Sequence, residues 1–474
     1  MRRTLIVTND FPPRRGGIQS FVHALAIRLP QDTVTVYAPA WEGAAAFDAQ
    51  QPFPVIRHPT SLMLPVPAVA NRAAAIAREQ GCESVLFGAA APLGLITPTL
   101  RRVGVSRAVA LTHGHEAGWA ALPGARALLR RIGDEVDVVT YLGEYFRVRL
   151  SRALSPAAAR RMVRLAPGVD MSVFRPGSGG GEVRKLLGLA DRPVVTCVSR
   201  MVPRKGQDTL IRAWPRVRAE VPGAALLLVG DGPYAQALKR QAGRLGVSGD
   251  VVFTGPVPWS ELPGYYDAAN VFAMPCRTRR AGLDVEGLGM VYLEASATGL
   301  PVIGGDSGGA PDAILDGESG YVVRGATALA ARIADLLNDP ARARAMGEKG
   351  LAWVDREWRW DLAAARLTAL LHDLPRPNPP KACAGPPKAP LSSQNRDFLR
   401  CGPGGLTARL DSGGRIDRPQ HRGAKKMNAS LSQSLVVDHI REARQQAAAA
   451  RRAGQARHSR RAARRSAHRL AREA

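Results

Sequence analysis

Residues 281–309 read AGLDVEGLGMVYLEASATGLPVIGGDSGG and hold two glutamates eight positions apart, Glu286 and Glu294. Residues 271–275 predict a strand before this stretch, and residues 302–309 predict a strand and a glycine-rich turn after a helix that begins near Gly289. The free N–H groups and the positive dipole end of that helix favour a diphosphate. The two carboxylates can then accept hydrogen bonds from hydroxyl groups, Glu286 from a transferred sugar and Glu294 from a nucleoside ribose. Two unrelated surface acids are the alternative, which the strand–loop–helix–strand context disfavours.

Strand-like and helix-like patterns alternate along both halves of the chain, which is typical of doubly wound parallel sheets. The predicted strands are 5–8, 34–38, 85–87, 108–112 and 136–141, then 194–199, 225–229, 251–254, 271–274, 302–304 and 320–323. The predicted helices are 18–29, 69–79 and 126–132, then 207–221, 234–245, 261–269, 292–298 and 327–338. We therefore predict an α/β protein with two Rossmann-like domains, 1–167 and 191–353, and a Pro/Gly/Ser-rich linker at 168–190. Ligands of such domains bind at the carboxyl ends of the strands.

The chain has 474 residues, of which 45% are hydrophobic, and this suits two domains with further segments. The cysteines are odd in number and scattered, and they form no C-x-x-C motif; they are Cys82, Cys197, Cys276, Cys383 and Cys401. This pattern argues against a disulfide framework or a zinc site and indicates a reducing cytosol. We expect no signal peptide, because a strand begins at once, and no spanning helix, because no apolar run approaches about 20 residues.

The net charge of +26 is unevenly distributed. Residues 375–474 hold 22 Lys and Arg against 6 Asp and Glu, whereas residues 1–374 hold 44 against 34. The moderately basic residues 1–374 are compatible with an anionic lipid surface, an anionic substrate or nucleic acid, so charge alone does not distinguish these partners. Residues 375–474 are rich in Pro and Gly and then in Ala and Arg, and we predict a disordered tail. Nucleic-acid binding by its Arg-rich end is an open alternative, less favoured than a tail without function.

Four further motifs follow predicted strands. Gly16 and Gly17 stand before a helix and allow the backbone to approach a phosphate, although a tight turn alone would also need them. LTHGHE places His113 and His115 at a strand end, where they can reach a sugar ring; a metal site there is disfavoured because no further ligand cluster is visible. SRMVPRKGQD carries Arg200 and Lys205, which can neutralise a departing diphosphate or form a solvated basic loop. TGPV, with Val257, can frame a base by backbone contacts.

The E-x7-E arrangement, the R-x4-K pair and the GGIQ loop together resemble the family 4 retaining glycosyltransferases of the GT-B fold, over about residues 1–374. THGHE, SRMVPRKGQD and RTRRAGLDVEGLGMVYLEASA resemble one branch more closely. That branch is the GDP-mannose-dependent phosphatidylinositol mannosyltransferases that add the second mannose, α-1,6-linked, to phosphatidylinositol monomannoside. The resemblance implies two domains facing a cleft, retention of configuration, no metal, no cofactor and no separate nucleophile. It also implies a helix at about 354–374 that crosses back to the first domain.

The resemblance assigns catalytic roles to four residues: His113 near the anomeric carbon, Arg200 and Lys205 on the phosphates, and Glu286 on the sugar. It implies a donor site that also contains Gly16, Gly17, Val257, Gly287, Leu288, Gly289 and Glu294.

An acceptor surface is expected in the first domain. Arg126, Arg130 and the neighbouring leucines suit an anionic lipid headgroup, and His115 is a further candidate contact. The apolar segment SLMLPVPAV, residues 61–69, can approach acyl chains, although ordinary core with solvated arginines is the alternative. The expected location is the cytoplasmic face of the plasma membrane, with nucleic acid an unlikely partner. Another nucleotide-sugar transferase, a nucleotide-sugar epimerase, and tethering through the Arg-rich end remain as competing functions.

Overall fold

The computed structural model describes residues 2–14, 16–114, 116–282 and 284–372. Within these ranges the first lobe contains the strands β1 Arg3–Val7, β2 Val34–Pro39, β3 Val55–His58, β4 Cys82–Phe87, β5 Arg107–Ala110, β6 Val138–Tyr141 and β7 Val163–Arg164. The second lobe contains β8 Val194–Val198, β9 Ala225–Val229, β10 Val251–Gly255, β11 Val271–Met274, β12 Val302–Gly305 and β13 Gly320–Val323.

The helices of the first lobe are α1 Gly17–Ala26, α2 Ala44–Asp48, α3 Pro67–Glu79, α4 Thr97–Arg101, α5 Glu116–Ala121, α6 Pro123–Glu135, α7 Glu144–Ser151 and α8 Pro156–Arg160. Those that follow are α9 Gly180–Leu186, α10 Gln207–Glu220, α11 Ala235–Arg244, α12 Leu262–Asp267, α13 Met290–Ala297, α14 Gly325–Asn338, α15 Pro340–Glu357 and α16 Trp360–His372.

Both sheets are parallel and doubly wound, as predicted. In the described part of the chain the strand order is β3-β2-β1-β4-β5-β6-β7 in one sheet and β10-β9-β8-β11-β12-β13 in the other. Each order reverses direction once, between β1 and β4 and between β8 and β11, and open α/β sheets bind ligands at such points. The loops that follow β8 and β11 are therefore the ones that place functional groups in the second lobe.

Buried apolar strands explain why these segments form parallel sheets. Every residue of β2, β8, β9, β11 and β12 is buried. Strands covered on both faces read as continuous apolar runs, which is what parallel sheets require. The sequence did not predict β3 and β7, because β3 is an edge strand of half-buried residues and β7 has only two residues.

Two segments differ from their predicted form. The predicted linker at 168–190 contains the helix α9, which packs against α12, so its Gly/Pro/Ser-rich composition concealed a helical turn. The predicted crossing helix at 354–374 is two helices: α15 ends at Glu357 in the second lobe and α16 begins at Trp360 against the first. At the break, the N–H of Val169 donates to the Trp358 carbonyl at 2.7 Å.

The predicted disordered tail at 375–474 lies outside the described residues. Among the helices of residues 2–372 that are described, none is both long and apolar enough to cross a bilayer.

The contact between α15 and the turn after α13 is tight enough to test by substitution. A methyl group at Gly347 would lie 1.9 Å from the carbonyl oxygen of Gly299, whereas one at Gly243 in α11 would lie 3.9 Å from the nearest side chain, Ser248. We expect Gly347→Ala to lower the free energy of unfolding by about 1–3 kcal/mol through overpacking. Gly243→Ala, the matched control, should raise it by about 0.5–1 kcal/mol because alanine favours helix. Urea unfolding measures both, and equal effects would contradict this packing.

Candidate active site

An ion pair joins the loops that follow β8 and β11. Lys205 Nζ lies 2.8 Å from Glu286 Oε2, and Arg204 Nη1 lies 3.1 Å from the same oxygen. The carboxylate is buried, since Glu286 is only 6% exposed. A buried charge of this kind needs compensation, which the two cations supply.

Gly206 sets the distance between these loops. It follows Lys205, has φ +81°, and a methyl group there would lie 2.0 Å from the Pro275 carbonyl oxygen at the end of β11. Only glycine combines this left-handed conformation with so close a backbone approach. The chain is thereby held where Lys205 can reach Glu286.

The glycine-rich turn after β12 supports the backbone of Glu286. Gly309 N–H donates to the Glu286 carbonyl at 2.9 Å, and Glu286 N–H donates to Ser307 Oγ at 3.4 Å. The predicted strand and turn at 302–309 therefore hold the loop that carries the first carboxylate.

The helix α13 begins at Met290 with Gly289 as its N-cap, as the sequence predicted. Tyr292 Oη donates to the Met274 carbonyl at 2.5 Å, which ties the first turn of the helix to the end of β11. No side chain of the described residues caps this helix, and there its first N–H groups are available to an anion.

Glu294 lies one turn into α13, half-buried, and accepts a hydrogen bond from Tyr266 Oη at 2.6 Å. Burial raises the pKa of this carboxyl group, and the Tyr266 hydrogen bond and the charge of Lys205 partly oppose that rise. The two glutamates therefore differ in surroundings, one paired with cations and the other held by a phenol.

In the first lobe, Gly16 is the N-cap of α1, and both Gly16 and Gly17 are exposed. A methyl group at Gly17 would meet no heavy atom of the described residues within 4 Å. Gln19 Nε2 donates to Asp10 Oδ1 at 2.7 Å and anchors the helix start to the end of β1. Gly17 thus has open space beside it, whereas a methyl group at Gly16 would meet the Gln19 side chain.

His113 follows β5 and lies between the lobes. Its Nε2 is 2.5 Å from the Gly88 carbonyl oxygen, to which it donates, and its backbone N–H donates to Glu116 Oε2 at 2.9 Å. A methyl group at Gly287 would lie 3.9 Å from the His113 carbonyl oxygen. The loop after β11, which carries Gly287, therefore approaches the end of β5. The structure thus places His113 at a strand end, as predicted, and its reach to a sugar ring stays a prediction.

A second contact between the lobes involves Asp312. The backbone N–H of Tyr145, in the first turn of α7, donates to Asp312 Oδ2 at 3.4 Å. The second lobe thus places a carboxylate at the amino end of a first-lobe helix, where the helix dipole favours it.

Some predicted residues are not brought to the ion pair. The side chain of Arg200 is exposed, and no described residue forms an ion pair with it. Leu288 is buried in the apolar core and Val257 packs against that core, so each can meet a ligand only through part of its surface or its backbone. His115 lies outside the described residues.

The predicted acceptor residues lie on α6. Arg130 is exposed, and the exposed Arg126 donates from Nη2 to the Arg152 carbonyl at 2.5 Å. Among the described residues, neither arginine forms a hydrogen bond or a salt bridge with the Lys205–Glu286 pair.

Three residues of the site were underestimated or missed from the sequence. Arg204, a neighbour of Lys205 in the same basic motif, pairs with Glu286. Ser307 stands in the glycine-rich turn and could have been found there. Tyr266 is 28 positions from Glu294, and no spacing rule connects them. Metal-ligand clusters of three or more His, Cys, Asp or Glu are absent from the described residues, and the expectation of no metal stays a prediction.

Residues 182–353 match the family model described as glycosyl transferases group 1. The chain is also 54% identical, over 374 residues, to the GDP-mannose-dependent alpha-(1-6)-phosphatidylinositol monomannoside mannosyltransferase of Mycolicibacterium smegmatis, covering 77% of this chain and 97% of that protein. The chain belongs to this glycosyltransferase family. It is 46% identical to the enzyme of Corynebacterium glutamicum named for monoacylated phosphatidylinositol monomannoside, over 79% of this chain and 99% of that protein.

The fold agrees with that of solved structures. HepE of Anabaena, crystallised with UDP, superposes with a TM-score of 0.65 at 19% identity, covering 78% of this chain and 100% of that chain. The predictions of family and of the GT-B fold are thereby confirmed.

The ion pair predicts the result of removing either partner. We expect Lys205→Ala and Glu286→Ala to lower the kcat of this glycosyltransferase at least about 100-fold, because the first removes a cation expected to stabilise the departing diphosphate and the second removes the expected acceptor for sugar hydroxyls. Circular dichroism should show the fold retained, since Arg204 still compensates Glu286 in the first variant. Lys185→Ala, an exposed lysine on α9, is the control. A near-normal rate in either site variant would contradict the assignment.

Proposed function

We propose that this glycosyltransferase transfers mannose from GDP-mannose to phosphatidylinositol monomannoside, forming an α-1,6 linkage with retention of configuration. The observation that carries the proposal is the Lys205–Glu286 pair beside the uncapped start of α13, in a chain about half identical to enzymes of that name. A different nucleotide sugar or acceptor on the same scaffold is the second candidate.

The leaving diphosphate is the main electrostatic problem in this reaction. The anomeric C–O bond to the phosphate breaks, and negative charge develops on the departing phosphate oxygens. Lys205 and Arg204 can turn from Glu286 to those oxygens, and Arg200 adds an exposed cation from the same loop. The N–H groups at the start of α13 can donate hydrogen bonds to the same oxygens. Glu286, released from the cations, then accepts hydrogen bonds from sugar hydroxyls.

Bond formation needs no further charged group in this proposal. An acceptor hydroxyl oxygen attacks the anomeric carbon from the face that the phosphate leaves, and its proton passes to a departing phosphate oxygen. The oxocarbenium-like centre that develops between them lies near His113, whose ring is fixed by the Gly88 carbonyl. The proposal uses no metal, no cofactor and no covalent enzyme intermediate.

Nucleotide preference and transfer test this function together. The purified protein should gain thermal stability with GDP and not with UDP or ADP, and it should convert phosphatidylinositol monomannoside to the dimannoside with GDP-mannose. Because a bound ligand stabilises by RT ln(1 + [L]/Kd), a GDP concentration of 100 times Kd should add about 2.7 kcal/mol. Stabilisation by UDP alone would contradict the mannose proposal and favour the second candidate. Release of free GDP without acceptor would favour the epimerase.

The acceptor requires access to a lipid surface, and the first lobe exposes two apolar groups. Leu62, Leu64 and Val66 are 55%, 49% and 44% exposed in the loop before α3. Leu122 and Leu128, at α6, are 46% and 41% exposed beside exposed arginines. Apolar side chains with adjacent cations suit an anionic bilayer. We place the protein at the inner face of the plasma membrane as a peripheral enzyme, with nucleic acid an unlikely partner.

Liposome sedimentation tests this surface. The chain truncated after residue 374, which lacks the basic tail, should sediment with anionic liposomes at low salt. Replacing Leu62, Leu64 and Val66 by serine should reduce the bound fraction, whereas Leu186→Ser, at the 74% exposed leucine of the second lobe, should not. If the triple substitution leaves liposome binding unchanged, the prediction that this loop contacts the membrane is wrong.

A further inference from the structure

Tyr266 is buried in the second lobe and is aimed at Glu294. Its side chain is 0% exposed, and its hydroxyl donates to Glu294 Oε2 at 2.6 Å. This distance is in the range of O–H···O⁻ bonds to a charged acceptor, which are shorter and stronger than neutral ones.

Aromatic packing fixes the phenol. The Tyr266 ring lies 5.7 Å from Phe174, edge-on at 80°, and 5.7 Å from Phe272 of β11 at 35°. Packed against these two rings, the buried phenol directs its hydroxyl to Glu294 of α13.

The bond leaves one carboxylate oxygen of Glu294 for a ligand. Tyr266 occupies Oε2, and no described residue donates a hydrogen bond to Oε1. Glu294 itself is half-buried, and the Tyr266 hydrogen bond is the one that the described residues supply to its carboxylate. The groups that act on its charge are Tyr266 from α12 and Lys205 from the loop after β8.

We propose that Tyr266 is a positioning residue that holds the Glu294 carboxylate with Oε1 directed to the ribose hydroxyls of the donor, and thereby sets donor affinity. This rests on the proposed function, in which Glu294 binds the ribose. Tyr266 touches neither the sugar nor the phosphates in this account, and it acts only through Glu294.

Tyr266→Phe tests the proposal, with GDP as the probe and calorimetry as the measurement. The variant keeps the ring and loses the hydroxyl. Because it loses a hydrogen bond to a charged group, we expect it to bind GDP about tenfold more weakly. In activity assays the KM for GDP-mannose should rise by a similar factor with kcat within about twofold. Tyr265→Phe, a buried tyrosine on the same helix, is the matched control and should change neither.

The pH dependence distinguishes positioning from general packing. Burial raises the pKa of Glu294, and the Tyr266 hydrogen bond lowers it again because it favours the charged form. Removing that bond should raise the pKa further, so that GDP affinity begins to fall at a higher pH as the solution is acidified. An unshifted profile, or a tenfold loss shared by Tyr265→Phe, would overturn the proposal.

A second comparison uses the unmodified protein, so the result does not depend on how the variant folds. GDP should bind more tightly than 2′,3′-dideoxy-GDP, and this difference should shrink on acidification; in Tyr266→Phe it should already be reduced at neutral pH. Equal binding of the two nucleotides at all pH values would overturn the ribose role. Tight GDP binding without mannose transfer would instead count against the proposed function and leave the positioning role standing.

Discussion

The site of this protein depends on one buried carboxylate that must be neutralised. Glu286 sits among backbone segments after β11 and β12, where an unpaired charge would be costly. Lys205 and Arg204 reach it only because β8 and β11 are neighbours at the point where the second sheet reverses. Connections from these strands run in opposite directions along the sheet, so their loops diverge and leave a groove between them. The ion pair spans that groove.

The remaining parts of the site are arranged around this pair. Gly206 brings the cationic loop against the end of β11, and the turn containing Ser307 supports the carboxylate loop from the other side. The helix α13 then starts directly after the carboxylate, which places a positive dipole end beside two cations. On the first lobe, His113 closes the opposite side through its approach to Gly287. The backbone at His113 of the first lobe thus approaches the loop that carries Glu286 in the second.

The sequence predicted this arrangement where it depended on periodicity and order along the chain. Apolar runs predicted the parallel strands. The carboxyl ends of parallel strands share an edge, so the loops that carry Lys205 and Glu286 lie at the edge where a ligand was predicted. Contacts between distant segments could not be predicted from periodicity or order along the chain. Tyr266 contacts Glu294 because α12 packs against the sheet, and no local pattern encodes that packing. The helix break at Trp358 likewise coincides with a contact between distant segments, the hydrogen bond from Val169 N–H to the Trp358 carbonyl. Composition led to one wrong prediction: the Gly-rich residues 180–186 were predicted as linker and form a helix.

A crystal structure of the protein with GDP tests the central claim most directly. The account predicts a diphosphate oxygen within about 3 Å of Lys205 Nζ and of a backbone N–H at the start of α13, with the lysine turned away from Glu286. A diphosphate bound elsewhere, or one bound while Lys205 stays on Glu286 and makes no contact with it, would contradict the account.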